Sequence, residues 1–190
     1  MRLLLSALIA LVTASLGNSQ QPAKGKPTQE ASLYVTDPAE LFSSDAVKKT
    51  KATMAEVVDR NRRQMYILTF KELPEAKKKA FEKLDKDDKA ARGKFFRDWA
   101  IEEAKDEKAS GVFVLICRKP GQVEILADKA IRDKGFTHRD EEHIAELLIS
   151  KLREAAETKD KTPQEQTAIR DKGLIAAVDF VRDAYKKMVK

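Results

Sequence analysis

Two stretches of the chain are apolar almost without interruption: residues 64–70 (QMYILTF) and 112–117 (VFVLIC). Runs of this length, rich in β-branched side chains and bounded by turn residues, read as strands covered on both faces. The second run closes on Lys119-Pro120-Gly121. Beyond that turn, Val123, Ile125 and Ala127 alternate with Glu124, the pattern of a hairpin partner nearer the sheet edge. A shorter run, Leu33-Tyr34-Val35, opens the domain and is turned by Asp37-Pro38, because the residue before proline is pushed away from helical angles. About forty residues of helical composition separate the two long runs, enough for a helical crossover and hence a parallel pairing.

The helical segments show their own period. Val47, Met54, Val57 and Val58 form a stripe on a helix capped by Ser44 or Asp45, and Arg60, Arg62 and Arg63 suit the negative end of its dipole. Pro74 begins a second helix, residues 85–89 (DKDDK) break the pattern, and a third helix carries Phe95, Phe96, Trp99 and Ile101. Thr137 or a nearby aspartate caps a helix with Ile144, Leu147, Leu148 and Leu152 on one face. Thr162-Pro163-Gln164-Glu165 is a complete capping box with proline at the first helical position. It opens a last helix whose apolar positions are Leu174, Val178, Val181, Tyr185 and Met188. Strands alternating with helices predict an α/β fold: a three-layer α/β/α sandwich with a small mixed β-sheet flanked by helices.

Residues 1–19 stand apart from this pattern. Arg2, an apolar run from Leu3 to Val12 and small or polar residues up to Ser19 have the anatomy of a signal peptide. The apolar core is shorter than the roughly 20 residues a spanning helix needs, and no second segment is long enough to cross a membrane. Residues 20–32 (QQPAKGKPTQEAS) read as a flexible linker, and the domain is expected over 33–190. The expected location is therefore periplasmic or extracellular after cleavage. One cysteine, Cys117, admits no internal disulfide and reads as an inert core thiol. With 37 basic and 31 acidic residues, the formal charge of +6 falls to +5 once Arg2 leaves with the leader. The densest basic run, Lys77-Lys78-Lys79, lacks interleaved aromatics, so it reads as a solvated helix face and nucleic acid is not an expected partner.

Motifs of common enzymes are absent. His138 and His143 are five residues apart, which does not place them on one helix face as zinc ligands at four-residue spacing are. No phosphate-binding glycine loop and no nucleophile elbow occurs. The acidic run at Asp85 carries lysine and alanine where a calcium loop needs a ligand and glycine. What remains are carboxylates at element ends, foremost Asp37 after the first strand and Asp128 after the last. Sites in α/β sheets gather beyond the carboxyl ends of strands, and hard cations take oxygen ligands. Asp37 and Asp128 are accordingly the candidate ligands for Ca²⁺ or Mg²⁺.

The order of these motifs resembles the TPM domain, found in thylakoid acid phosphatase, photosystem II repair proteins, an animal receptor modulator and many exported bacterial proteins. The matching positions are Val35, Asp37 and Leu41; residues 64–70; Trp99 and Ile101; residues 111–117; Val123 to Ala127; and Asp171-x-Gly173-Leu174. The chain has Glu102 where many members carry glycine, and Ala109-Ser110 where they carry Asp-Asn. Arg132 stands where an acid is common, while Ala127, Asp128 and Ile131 match an Ala-Asp-x-x-Ile variant. The resemblance implies the α/β/α fold and, for some members, metal binding and phosphatase activity. Loss of the Asp-Asn pair removes expected cation ligands. The leading expectation is therefore a non-catalytic module for a protein partner or envelope maintenance, and the alternative is a divalent-metal-dependent phosphomonoesterase.

Overall fold

The structure, a computed structural model, describes residues 31–57, 63–158 and 160–188. Strands β1 (Ser32–Thr36), β2 (Gln64–Phe70), β3 (Gly111–Cys117) and β4 (Gln122–Ala127) form a sheet in that spatial order. The first three are parallel and β4 returns antiparallel. One register row joins Thr36, Leu68, Leu115 and Glu124; another joins Ser32, Gln64 and Gly111.

The two faces of the sheet are covered by different helices. Leu33, Met65, Ile67, Val112, Val114, Ile116, Val123 and Ile125 share one core with α1 (Ser44–Ala55), α5 (His138–Glu157) and α6 (Pro163–Met188). On the other face Leu68, Phe113, Leu115 and Cys117 pack against Phe96, Trp99 and Ala100 of α3 (Lys89–Asp106), with Phe81 of α2 (Glu75–Phe81) at the margin. β3 is buried along its whole length, as a strand covered on both faces must be. The α/β/α sandwich with its mixed sheet is thus the fold. Successive crossovers β1–α1–β2 and β2–α2–α3–β3 step the same way across the sheet on opposite faces. They therefore have opposite hands, one of them the uncommon left-handed form.

Several boundaries differ from the sequence reading. The cap of α1 is Ser43, whose hydroxyl accepts from Ala46 N at 3.1 Å, so Ser44 and Asp45 lie inside the first turn. This helix stops at Ala55, and Arg63 is no dipole partner. It is buried just before β2 and donates to Tyr185 O at 3.3 Å. Arg60, Arg62 and Val58 lie outside the described residues, as do the proposed leader and most of the linker. The linker's last two residues belong to the domain: Ala31 is buried and donates to Val57 O at 2.8 Å, and Ser32 opens β1. Among the described residues no helix is long and apolar enough to cross a membrane.

Candidate functional site

The carboxyl ends of β1, β2 and β3 point the same way, and the segment after β1 folds back over them. Asp37 organises that segment. Its Oδ1 accepts from Leu41 N at 3.0 Å and from the Thr69 hydroxyl at 2.6 Å, and its Oδ2 accepts from Phe42 N at 2.9 Å. Thr69, fully buried on β2, in turn accepts from Ala39 N at 3.1 Å. A second carboxylate holds the other end of the corner: Asp171 accepts from Ser43 N at 2.9 Å and from the Ser43 hydroxyl at 2.6 Å. Ser43 can then serve as the α1 cap. Both carboxylates satisfy backbone donors that a buried turn would otherwise leave unpaired.

Asp128 sits at the opposite end of the sheet. Its Oδ2 accepts from Gly111 N at 2.6 Å and its Oδ1 from Ile131 N at 2.9 Å, which makes it the cap of the short helix α4 (Lys129–Arg132). Because β4 is antiparallel, its last residue lies beside the first residue of β3. Asp37 and Asp128 are thus separated by the length of the strands, about 16 Å at roughly 3.3 Å per residue. Cation–oxygen bonds are only about 2.3–2.6 Å long, so the two cannot share an ion. The structure does not bring these two candidate residues together. The hairpin turn at Lys119-Pro120-Gly121 carried the signal, since a hairpin's second strand must end where its first began.

The neighbours of Asp128 complete a structural cluster. Arg132 Nε donates to Ala127 O at 3.0 Å, and its Nη2 pairs with Glu141 Oε1. The buried Glu141 also accepts from Ala127 N at 2.8 Å and meets His138 Nδ1 at 2.9 Å. His143 lies exposed on α5 and meets His138 in no shared site. Ser110, just before β3, donates to Gln64 Oε1 at 2.8 Å. Among the described residues no group of three or more His, Cys, Asp or Glu is placed to hold a metal ion.

The feature that sequence reasoning missed is a cleft of about 260 Å³ at the carboxyl end of the parallel strands. Its floor includes Leu41, Ile116, Val123 and Leu152, and three arginines, Arg118, Arg153 and Arg170, line it. None of its described lining residues is acidic. Arg170 is held by the corner that Asp37 builds: its Nε donates to Leu41 O at 2.7 Å and its Nη2 to Thr167 Oγ1 at 2.6 Å. Burial lowers the Arg170 pKa, the positive charge of Arg118 lowers it further, and Asp171 and Asp37 oppose the shift. Cys117 also lines the cleft, but burial pushes its thiol up to about 11, so it is no nucleophile near neutral pH. The three arginines come from a hairpin turn and two helices, with no motif spacing to announce them. Only the fold brings them together.

A family model for the TPM domain matches residues 35–156. The chain belongs to the TPM domain family. The resemblance read from the motifs is thereby shown over those residues, with Asp171 and Gly173 beyond the match, and the positions that the motifs singled out now have physical roles. Asp37 and Asp171 build the corner between β1 and α1. Gly173 allows close packing of α5 on α6, where a Cβ would lie 3.0 Å from Lys151 Cβ and 3.2 Å from Leu147 O. Gly111 has φ +95°, and a Cβ there would lie 2.1 Å from Gln64 O. No curated protein matches the chain significantly.

Proposed function

We propose that this TPM domain is a non-catalytic binding module, exported by its leader-like N-terminal segment, that engages its partner through the carboxyl-end cleft. One observation carries the reading. The concave site at the functional end of the sheet is lined by three arginines, while the nearby carboxylates, Asp37 and Asp171, are committed to backbone and hydroxyl donors. A metal-assisted phosphomonoesterase needs acidic oxygens facing an open coordination position. Here the donor set at the cleft does not fit Ca²⁺ or Mg²⁺, and guanidinium groups repel cations. The export reading is supported by the basic residue, apolar run and small residues of positions 1–19.

A thermal melt of the domain with chelator, and then with millimolar Ca²⁺ or Mg²⁺, tests the reading alongside an assay with an aryl phosphate. A cation at about a hundred times its dissociation constant would add roughly 2.7 kcal/mol, several degrees in Tm. The expected result is no metal-dependent rise and no phosphate release. A rise abolished by Asp37→Asn, with metal-dependent hydrolysis, would establish the phosphatase instead.

A further inference from the structure

We infer that the carboxyl-end cleft is a binding site for a small amphiphilic oxyanion, an apolar body ending in a single carboxylate or phosphate group. This rests on the reading of the cleft as the module's binding site and names the chemistry it recognises. The charge comes first. Arg118, Arg153 and Arg170 converge on a cleft whose described lining contains no carboxylate to neutralise them. The Arg118 and Arg153 side chains donate to no described residue and form no ion pair with one, so their donors remain available. Arg170 is half-buried and fixed by Leu41 O and Thr167 Oγ1. Planar guanidinium forks match the paired oxygens of carboxylate and phosphate. An anion seated among them would also offset the repulsion between Arg118 and Arg170.

Shape and polarity narrow the ligand. The floor is aliphatic, and Ile149 on the rim is one of three large apolar side chains left exposed among the described residues. A simple inorganic anion would leave this surface in water, whereas an attached hydrocarbon body would cover it. The cleft volume, about 260 Å³, falls just under the range of about 300–1,000 Å³ that holds drug-sized ligands. The body is therefore compact, of the size of a short acyl or aryl group. Asp37 acts here as a positioning residue: it fixes Leu41, and the Leu41 carbonyl fixes the Arg170 guanidinium.

The test is calorimetric titration of the full chain with four probes: hexanoate, hexyl phosphate, hexanol and inorganic phosphate. Hexanoate, hexyl phosphate or both should bind at one site, with hexanol and inorganic phosphate at least about tenfold weaker. Arg118→Gln combined with Arg153→Gln should weaken binding about tenfold or more while leaving the melting temperature unchanged. Binding of hexanoate alone or of hexyl phosphate alone identifies the head group. Equal binding of hexanol, equal binding of inorganic phosphate, or insensitivity to the double variant would overturn the inference. So would absence of binding by both amphiphiles, an outcome that leaves the non-catalytic reading intact. Conversely, conversion of bound hexyl phosphate to hexanol and phosphate would overturn that reading while keeping the site.

Discussion

The two ends of the sheet are built from the same materials and present different surfaces. At the amino end of the parallel strands a tyrosine hydroxyl and a carboxylate bind the strand backbone directly, beside a hollow that mixes acidic and basic side chains. The buried Tyr185 donates from its hydroxyl to Gln64 O at 2.7 Å and accepts from Val112 N at 3.1 Å. Gly111 lies against it, and Asp128 caps both β3 and α4. At the carboxyl end Asp37 and Asp171 are equally absorbed in hydrogen bonds, yet the corner they hold stands beside an open cleft lined with arginine. An aspartate at a strand end is therefore no guide to a site by itself. Because β4 runs antiparallel, the chain returns to the amino end, where Asp128 stands in a shallow hollow beside Arg97, Lys105, Lys108 and Arg132. The cleft at the opposite end is lined by arginines, with no carboxylate among its described lining residues.

The comparison can be broken most severely at Gly111. Replacing it by alanine forces a Cβ to within 2.1 Å of Gln64 O and 2.6 Å of the Tyr185 hydroxyl, at a φ that side chains rarely adopt. We expect a loss of about 3 kcal/mol or more in denaturant unfolding. Next come the paired aspartates. Asp37→Ala and Asp128→Ala each strand buried or half-buried backbone donors, and each should cost about 2–3 kcal/mol. Only Asp37→Ala should also weaken hexanoate or hexyl phosphate binding, because only Asp37 orders the carbonyl that holds Arg170. Equal effects on binding would remove the distinction between the two ends. The smallest effect concerns Cys117. Its thiol titrates at about 11, above its ordinary value of 9.0, because burial disfavours the thiolate. The unfolded chain loses this proton first, so stability should fall as pH rises from about 9 to about 11, by up to about 2 kcal/mol. Cys117→Ala should flatten that part of the pH profile.

Much of the fold was legible in the sequence because it rests on local pattern. The limits of β2 and the last residue of β3 follow from continuous apolar runs, and the cap candidate Thr137 and the capping box at Thr162 mark the starts of α5 and α6. The cap of α1 was misplaced by one or two residues because three polar residues in a row, Ser43, Ser44 and Asp45, are all good caps. Asp171, 128 residues away, supports Ser43. The candidate site was less legible for the same reason. Thr69 looks like an ordinary strand residue, and Arg118, Arg153 and Arg170 look like scattered surface charge, until the sheet places them at one end. Asp37 is marked in the sequence by its Asp-Pro turn, but the backbone and hydroxyl donors that hold it are visible only in the fold.

The family match ends at residue 156, before α6 begins. That helix is 26 residues long, about 39 Å, and it carries Arg170 at the carboxyl end of the parallel strands and Tyr185 at their amino end. Between them Leu174, Ala177, Val178 and Val181 are buried in the core shared with α1, α5 and the sheet. The core of this fold therefore extends beyond the residues that the family model matches. A fragment trimmed to residues 35–156 would keep the family's signature motifs through Ala127 and lose the rod that joins both ends of the sheet. It would expose the apolar surfaces of α1 and α5 to water and to one another's copies, so its failure would report on where the cut was made.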